Sequence, residues 1–186
     1  MTTAPANHIP VLVEKVIEAL APVDGAVMVD ATYGGDGYAR AVLAVANCTV
    51  LAIDRDPDAM ERAWAHAGKD PRLVPASGRF AELESIARAS GYEKVDGVMF
   101  DLGVSSFQID EAGRGFSFMR EGPLDMRMEK RGPSAADAVN RLTEGELADI
   151  FHFLGEEPQA RRVARGIVHR RRSQPFETTL DLAATI

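Results

Sequence analysis

Val27-Met28-Val29-Asp30-Ala31-Thr32-Tyr33-Gly34-Gly35-Asp36-Gly37 is the stretch on which the reading of the fold turns. A short apolar run closes on a carboxylate and enters a glycine-rich turn, and a helical stretch follows from Tyr38 to Ala46. Near-continuous apolar strands fit a parallel sheet covered on both faces. The unit recurs downstream. Val50-Leu51-Ala52-Ile53 closes on Asp54, and Asp56-Pro57 opens the next helix, with Asp56 as its cap and Pro57 in its first turn. Arg72-Leu73-Val74 is a weaker third strand, Phe80, Leu83, Ile86 and Ala87 mark a third helix, and Val95 to Phe100 is a fourth strand closing on Asp101. Upstream, Leu12, Val13, Val16, Ile17 and Leu20 recur at helical spacing, and Pro22 to Gly25 ends that helix. Strands alternating with helices imply parallel pairing through right-handed crossovers, hence an open α/β sheet.

The pattern changes after Asp101. Residues 103–133 are rich in Gly, Arg, Met and Phe without a sustained period, and read as a long loop. From Ser134 onward the chain reads as helical. Thr143 and Glu146 form a capping box before Leu147, Ile150, Phe151 and Leu154, and Gly155 stops that helix. Ala160, Val163, Ala164, Ile167 and Val168 line the apolar side of the next, and Thr178 caps a last one. The boundary is placed near residue 130, between an α/β unit (1–130) and a helical unit (131–186).

Composition narrows the function classes. With 46% hydrophobic and 26% charged residues the chain is not disordered as a whole. No apolar run approaches the roughly 20 residues of a membrane span, and Met1 to Pro10 shows no secretory signal. The single Cys48 forms no internal disulfide, which favours a reducing compartment and a cytoplasmic protein. His8, His66, His152 and His169 lack metal-ligand spacing, so no metal site is expected. The net charge of −7 hides an asymmetry. Six arginines against Glu177 and Asp181 give residues 161–186 a net of +4, while 15 basic and 26 acidic residues give the remainder −11.

Ligands of an open parallel sheet bind beyond the carboxyl ends of its strands. Asp30, Asp54 and Asp101 all end strands, so they are expected to crowd one edge. A carboxylate at the end of the second strand accepts from ribose hydroxyls, a need that NAD and S-adenosylmethionine share. A dinucleotide fingerprint has the pattern G-x-G-x-x-G; here Gly35-Asp36-Gly37 runs into Tyr38, Ala39 and Arg40, and Asp36 would repel a pyrophosphate. A sulfonium cofactor with an ammonium group tolerates these carboxylates. Singly, each of these residues reads more simply as a cap or a structural turn; their joint placement reverses that preference. Asp101 is then either a cofactor ligand or the catalytic acceptor that orients an exocyclic amine. Phe107, Phe116 and Phe118 are candidates for a wall beside a flipped base, or core packing under the loop. Cys48, at the far end of the sheet, is misplaced for covalent attack on a pyrimidine, which favours direct transfer to nitrogen or oxygen.

Asp30-Ala31-Thr32-Tyr33-Gly34, Ala52-Ile53-Asp54-Arg55-Asp56-Pro57, Asp101-Leu102-Gly103-Val104-Ser105-Ser106, Arg114-Gly115-Phe116-Ser117-Phe118-Met119-Arg120 and Gly122-Pro123-Leu124-Asp125-Met126-Arg127-Met128 appear in order. In this the chain, from His8 to its last residue, closely resembles the ribosomal RNA small subunit methyltransferase H family, also called MraW. The resemblance implies a class I, Rossmann-like methyltransferase sheet with S-adenosylmethionine as cofactor. It also implies methyl transfer to the N4 of a cytosine in the decoding region of bacterial small-subunit (16S) ribosomal RNA, with that RNA or the assembled small subunit as partner. By position, the family's cofactor residues fall on Gly35, Asp36, Gly37, Tyr38, Asp54, Phe80, Asp101 and Gln108. Many relatives have a Gly-Gly-His ending to the glycine loop, where this chain has Asp36-Gly37-Tyr38. Family members are longer, with the helical region inserted before the chain returns to the sheet. The resemblance therefore implies an incomplete sheet, part of the inserted helical domain, and an exposed strand edge through which copies would associate.

The helix from Gln159 to Arg172 opposes its apolar stripe with Arg161, Arg162, Arg165, His169, Arg170 and Arg172. Such a face either holds RNA phosphates, with Arg161, Arg165, Arg170, Arg171 and Arg172 as contacts, or is a solvated face paired with Glu156 and Glu157. The resemblance favours RNA. Two other readings stand beside methylation: a fragment that binds the cofactor without turnover, and a nicotinamide-dependent oxidoreductase, disfavoured by the missing third glycine.

Overall fold

The computed structural model describes residues 10–186. His8 and most of the stretch read for a secretory signal lie outside the described residues. The chain forms two compact units, Met1–Gly103 and Val104–Ile186.

In the first unit, β1 (Val27–Asp30), β2 (Thr49–Asp54), β3 (Leu73–Ser77) and β4 (Gly97–Met99) form a parallel sheet in the order β3-β2-β1-β4. Val29 sits opposite Leu51 on one side and Val98 on the other. Strand side chains alternate between two apolar layers. Met28, Val50 and Ala52 pack with α2 (Gly37–Val45) and α3 (Pro57–Ala67), through Ala39, Val42, Leu43, Met60 and Ala63. Val29, Leu51 and Ile53 face the opposite way, onto Leu83, Ile86 and Ala87 of α4 (Leu83–Ala89). A further helix, α1 (Val13–Leu20), lays Val16, Ile17 and Leu20 on the first layer. The expected open α/β class is therefore present, with a Rossmann-like sheet of four parallel strands.

The differences in detail have local causes. The third strand runs to Ser77 and takes in Pro75; β3 is an outer strand, where a sheet tolerates a residue with no N–H to donate. The fourth is shorter than its apolar run. Asp96 grips the start of β1 by accepting the Val27 N–H at 2.8 Å, and the ladder ends at Met99, so Phe100 and Asp101 lie beyond it.

In the second unit, α6 (Ala135–Arg141), α7 (Glu144–Asp149), α8 (Ala160–Arg170) and α9 (Thr179–Ala183) enclose Val139, Leu147, Ala148, Ala164, Ile167 and Phe176. The segment read as a loop begins with α5 (Ser106–Asp110) and a single turn at Ala112–Arg114. The rest is irregular but fixed. The buried Arg114 donates to the carbonyls of Arg127 and Met128 at 3.2 and 3.1 Å. Gly115 has φ +72°, and a Cβ there would lie 2.3 Å from the Pro123 carbonyl oxygen. The Leu124 N–H donates to Glu177 O at 2.8 Å, and its side chain joins the helical core. The long segment thus packs with the helices that follow it, which is why compactness divides the chain at 103/104 whereas composition places the boundary near residue 130.

Both caps predicted for this unit form: Thr143 Oγ1 accepts from Glu146 N at 3.3 Å, and Thr178 Oγ1 from Asp181 N at 3.2 Å. After α7 the backbone widens into a π-helical turn, Ile150–Leu154, closed by Gly155 N donating to Ile150 O at 3.3 Å. Leu154, assigned by 3.6-residue spacing to the buried stripe, is consequently 81% exposed.

Candidate functional site

The strand order reverses between β1 and β4, so the crevice of the first unit lies beyond the carboxyl ends of these strands. Asp30 ends β1 there and is 1% exposed. Its Oδ1 accepts from Thr32 N at 3.2 Å, whereas Oδ2 is buried without a hydrogen-bond partner. Burial, followed by the neighbouring charges of Asp54 and Asp101, pushes its pKa up to about 7. Asp54 and Asp101 are thus close enough to Asp30 to raise its proton affinity. None of the three is in an ion pair among the described residues.

Asp54, at the end of β2, holds backbone on both sides. One oxygen accepts from Gly34 N at 2.9 Å and the other from Asp56 N at 2.9 Å. Each carboxylate oxygen keeps lone-pair capacity for a further donor. Asp101 is exposed, and its backbone N–H donates to Thr32 Oγ1 at 2.7 Å, tying the chain after β4 to the chain after β1.

The glycine loop leads into α2. Asp36 takes φ +74° ahead of the helix and accepts from Arg40 Nε at 3.0 Å, while Arg62 of α3 donates to Gly34 O at 3.2 Å. Gly35 is exposed. A Cβ on Gly37 would lie 2.3 Å from Pro10 Cγ, so only glycine allows that approach. Tyr38 turns its hydroxyl away to donate to Val11 O at 2.6 Å, and burial, then Asp101 and Asp30, raise its pKa. Its side chain therefore fastens the segment before α1 onto the loop.

Phe80 follows β3 and is 44% exposed. Its ring meets that of Phe100 edge to face, with centroids 5.9 Å apart. Since β3 and β4 are the outer strands, this contact spans the sheet edge. Phe100, 50% exposed, stands beside Phe80 at this edge and is not among the candidate residues read from the sequence. The sequence reads it as the last residue of the fourth strand; the one signal available there is that it directly precedes Asp101.

The remaining predicted residues are in the second unit. Gln108 is buried in α5, and its Oε1 accepts from Ser105 N at 3.0 Å in a capping box. Phe107 and Phe116 are half-buried, Phe118 is exposed, and the Arg114 guanidinium lies over the Phe116 ring at 5.9 Å. On α8, Arg161 and Arg165 are exposed, Arg165 at 3.5 Å from Glu144. Arg170 is engaged by Asp181, by the Gln174 carbonyl and by the Phe176 ring at 4.6 Å. Arg171 donates to Val139 O at 2.6 Å. These two hold the unit together, while Arg172, just past the helix, is exposed. Cys48 is buried just before β2, at the opposite end of the strand from Asp54, and burial raises its thiol pKa.

Among the described residues no helix is long and apolar enough to cross a membrane. An edge with three unpaired carboxylates, one of them an orphaned buried oxygen, suits a ligand with positive charge and hydroxyl donors. It does not suit the pyrophosphate of a dinucleotide.

Residues 5–186 match the MraW methylase family. The chain is 57% identical over 183 residues to the ribosomal RNA small subunit methyltransferase H of Hyphomonas neptunium, covering 98% of this chain and 54% of that protein. Proteins of the same name from Brucella canis and Brucella suis are each 57% identical over 186 residues, again covering 98% of this chain and 54% of the relative. The chain spans about half the length of these curated relatives. Sequence match and Rossmann-like sheet agree, and the chain belongs to the MraW methylase family.

Proposed function

We propose that this chain holds S-adenosylmethionine at the carboxyl edge of its sheet and serves methylation of the N4 of a cytosine in the decoding region of bacterial small-subunit ribosomal RNA, working in the cytoplasm on that RNA or on the small subunit. The observation that carries the reading is the buried, unpartnered Oδ2 of Asp30 beside Asp54 and Asp101. A cationic cofactor fits it. When bound, that cofactor supplies an electrophilic methyl group on a sulfonium.

The residues divide the work. Asp30 offers its orphaned oxygen to the ammonium end. Asp54 accepts from the ribose hydroxyls with lone pairs not used by Gly34 and Asp56. Gly35, Asp36, Gly37 and Tyr38 form the floor against which the cofactor backbone lies, and Phe80 flanks the adenine. Asp101 accepts an N–H of the target amine, orienting its lone pair toward the methyl carbon, or contacts the cofactor. Gln108 completes the family's cofactor set. Alignment and exclusion of water supply most of the rate for such a displacement. Arg161, Arg165 and Arg172 hold RNA phosphates, with Arg170 and Arg171 fixing the scaffold beneath. β3 and β4, as outer strands, provide edges through which copies associate.

The test is transfer of labelled methyl from S-adenosylmethionine to small ribosomal subunits, followed by nucleoside analysis. N4-methylated cytidine supports the assignment. Label on another nucleoside contradicts it, and cofactor binding without transfer supports the binding-only reading.

A further inference from the structure

The π-helical turn Ile150–Leu154 presents an aromatic pair that the mechanism does not use. The rings of His152 and Phe153 pack at 4.9 Å and 70°, and Phe153 is 73% exposed. They border a groove of about 570 Å³ whose other wall is the start of α8, with Gln159, Arg161 and Arg162. Asp149 is the one acid on its lining. Arg162 donates to the neutral Gln159 Oε1 at 2.8 Å, and neither Arg161 nor Arg162 is in an ion pair among the described residues, so the lining carries two guanidinium groups against one carboxylate. Their position is unfavourable for the helix itself. The first turn of α8 itself holds two cations and no acid, which opposes the helix dipole, and Glu157 just ahead of it offsets this in part by accepting the Gln159 N–H at 2.7 Å. An exposed aromatic pair, a widened helical turn and an excess of positive charge converge on one groove. Such local violations are expected where a site serves function.

We propose that this groove binds one unpaired nucleotide of an RNA, with the base stacked on Phe153 beside His152 and the adjoining phosphates on Arg161 and Arg162. The proposal rests on the ribosomal RNA reading above and adds to it a base-reading position on the helical unit. Single-stranded RNA is recognised by aromatic faces next to basic side chains, because every base offers a π-face and every linkage a charge. A second copy of this chain fits less well. Two-fold docking through the same groove would bring two pairs of arginines together.

The experiment titrates the full chain into a seven-nucleotide single-stranded RNA carrying 2-aminopurine at its centre, reading fluorescence and repeating the titration at several salt concentrations. The expected result is quenching on binding. Phe153→Ala should lose on the order of 5- to 100-fold in affinity with an unchanged salt slope, and Phe153→Trp should retain it. Arg161→Gln with Arg162→Gln should lower the salt slope by about 1 to 2. Full affinity and quenching in Phe153→Ala would overturn the proposal alone, as would a Phe153→Ala whose only change is loss of an oligomer in sedimentation. A wild-type chain that binds no RNA would overturn both this proposal and the reading on which it rests.

Discussion

The carboxylate of Asp54 accepts the backbone N–H of Gly34 at 2.9 Å, so the end of β2 fastens the glycine loop that follows β1. One residue thereby builds the loop and, on the proposed reading, also faces the ligand. In the absence of any ligand, Asp54→Ala should lower stability by about 1–3 kcal/mol, because the Gly34 and Asp56 N–H groups both lose their acceptor. Urea unfolding reads this directly. An unchanged midpoint would show that the loop does not depend on the carboxylate.

Asp30 makes stability depend on pH. Its ordinary pKa of 3.8 is pushed up to about 7 in the fold, chiefly by burial. Between those values the folded chain holds a proton that the unfolded chain has released. The contribution of Asp30 to stability is therefore greatest below about pH 4, falls as pH rises toward 7 and is flat beyond, a loss on the order of 4 kcal/mol. Asp30→Asn should remove this slope and give a chain more stable than the parent above pH 7. A cation beside the carboxylate favours its ionised form, so cofactor affinity in the parent should rise as pH passes up through 7, with proton release seen as a buffer-dependent binding enthalpy. A flat affinity from pH 5.5 to 8 would place the cationic group elsewhere.

Phe100 tests whether the aromatic contact across the sheet edge belongs to the ligand site. It is 50% exposed, so Phe100→Ala should cost little stability. If its ring helps to enclose the adenine with Phe80, S-adenosylmethionine affinity should fall roughly 2- to 12-fold, the worth of one aromatic pair. Calorimetric titration decides the point, and an unaltered dissociation constant would reduce Phe100 to surface packing.

The arginines of α8 should separate into two groups. Arg170→Ala and Arg171→Ala each remove contacts inside the unit, to Asp181 and Phe176 and to the Val139 carbonyl, and should destabilise by about 1–3 kcal/mol. Arg172→Ala should leave the urea midpoint nearly unchanged and lower the salt slope of RNA binding by about 1. Equal effects of all three on stability, or none on the salt slope, would contradict this division.

What was legible in the sequence follows from which forces act locally. The apolar runs ending at Asp30 and Asp54, and the Asp56-Pro57 helix start, are set by neighbours in the chain, and they form as read. The placement of Asp30, Asp54 and Asp101 together follows from parallel topology alone. Leu154 was misplaced because a π-turn breaks the 3.6-residue period without a signature in composition. The long segment after Gly103 has no period because tertiary contacts order it, with Arg114 donating to backbone carbonyls 13 and 14 residues further on. Arg170 and Arg171 looked like their exposed neighbours because nothing local announces Asp181 or the Val139 carbonyl as partners. Phe100 was hidden by its own apolarity, which is equally at home in a strand and in a ligand wall.

The most direct test of the central claim is calorimetric titration of this chain with S-adenosylmethionine at pH 8, with Asp54→Ala as control. The account predicts one site, saturable binding, and a loss of at least about tenfold in the control. Saturable binding that Asp54→Ala leaves intact, or no binding by a chain shown to be folded, would contradict the assignment of the sheet's carboxyl edge as the cofactor site.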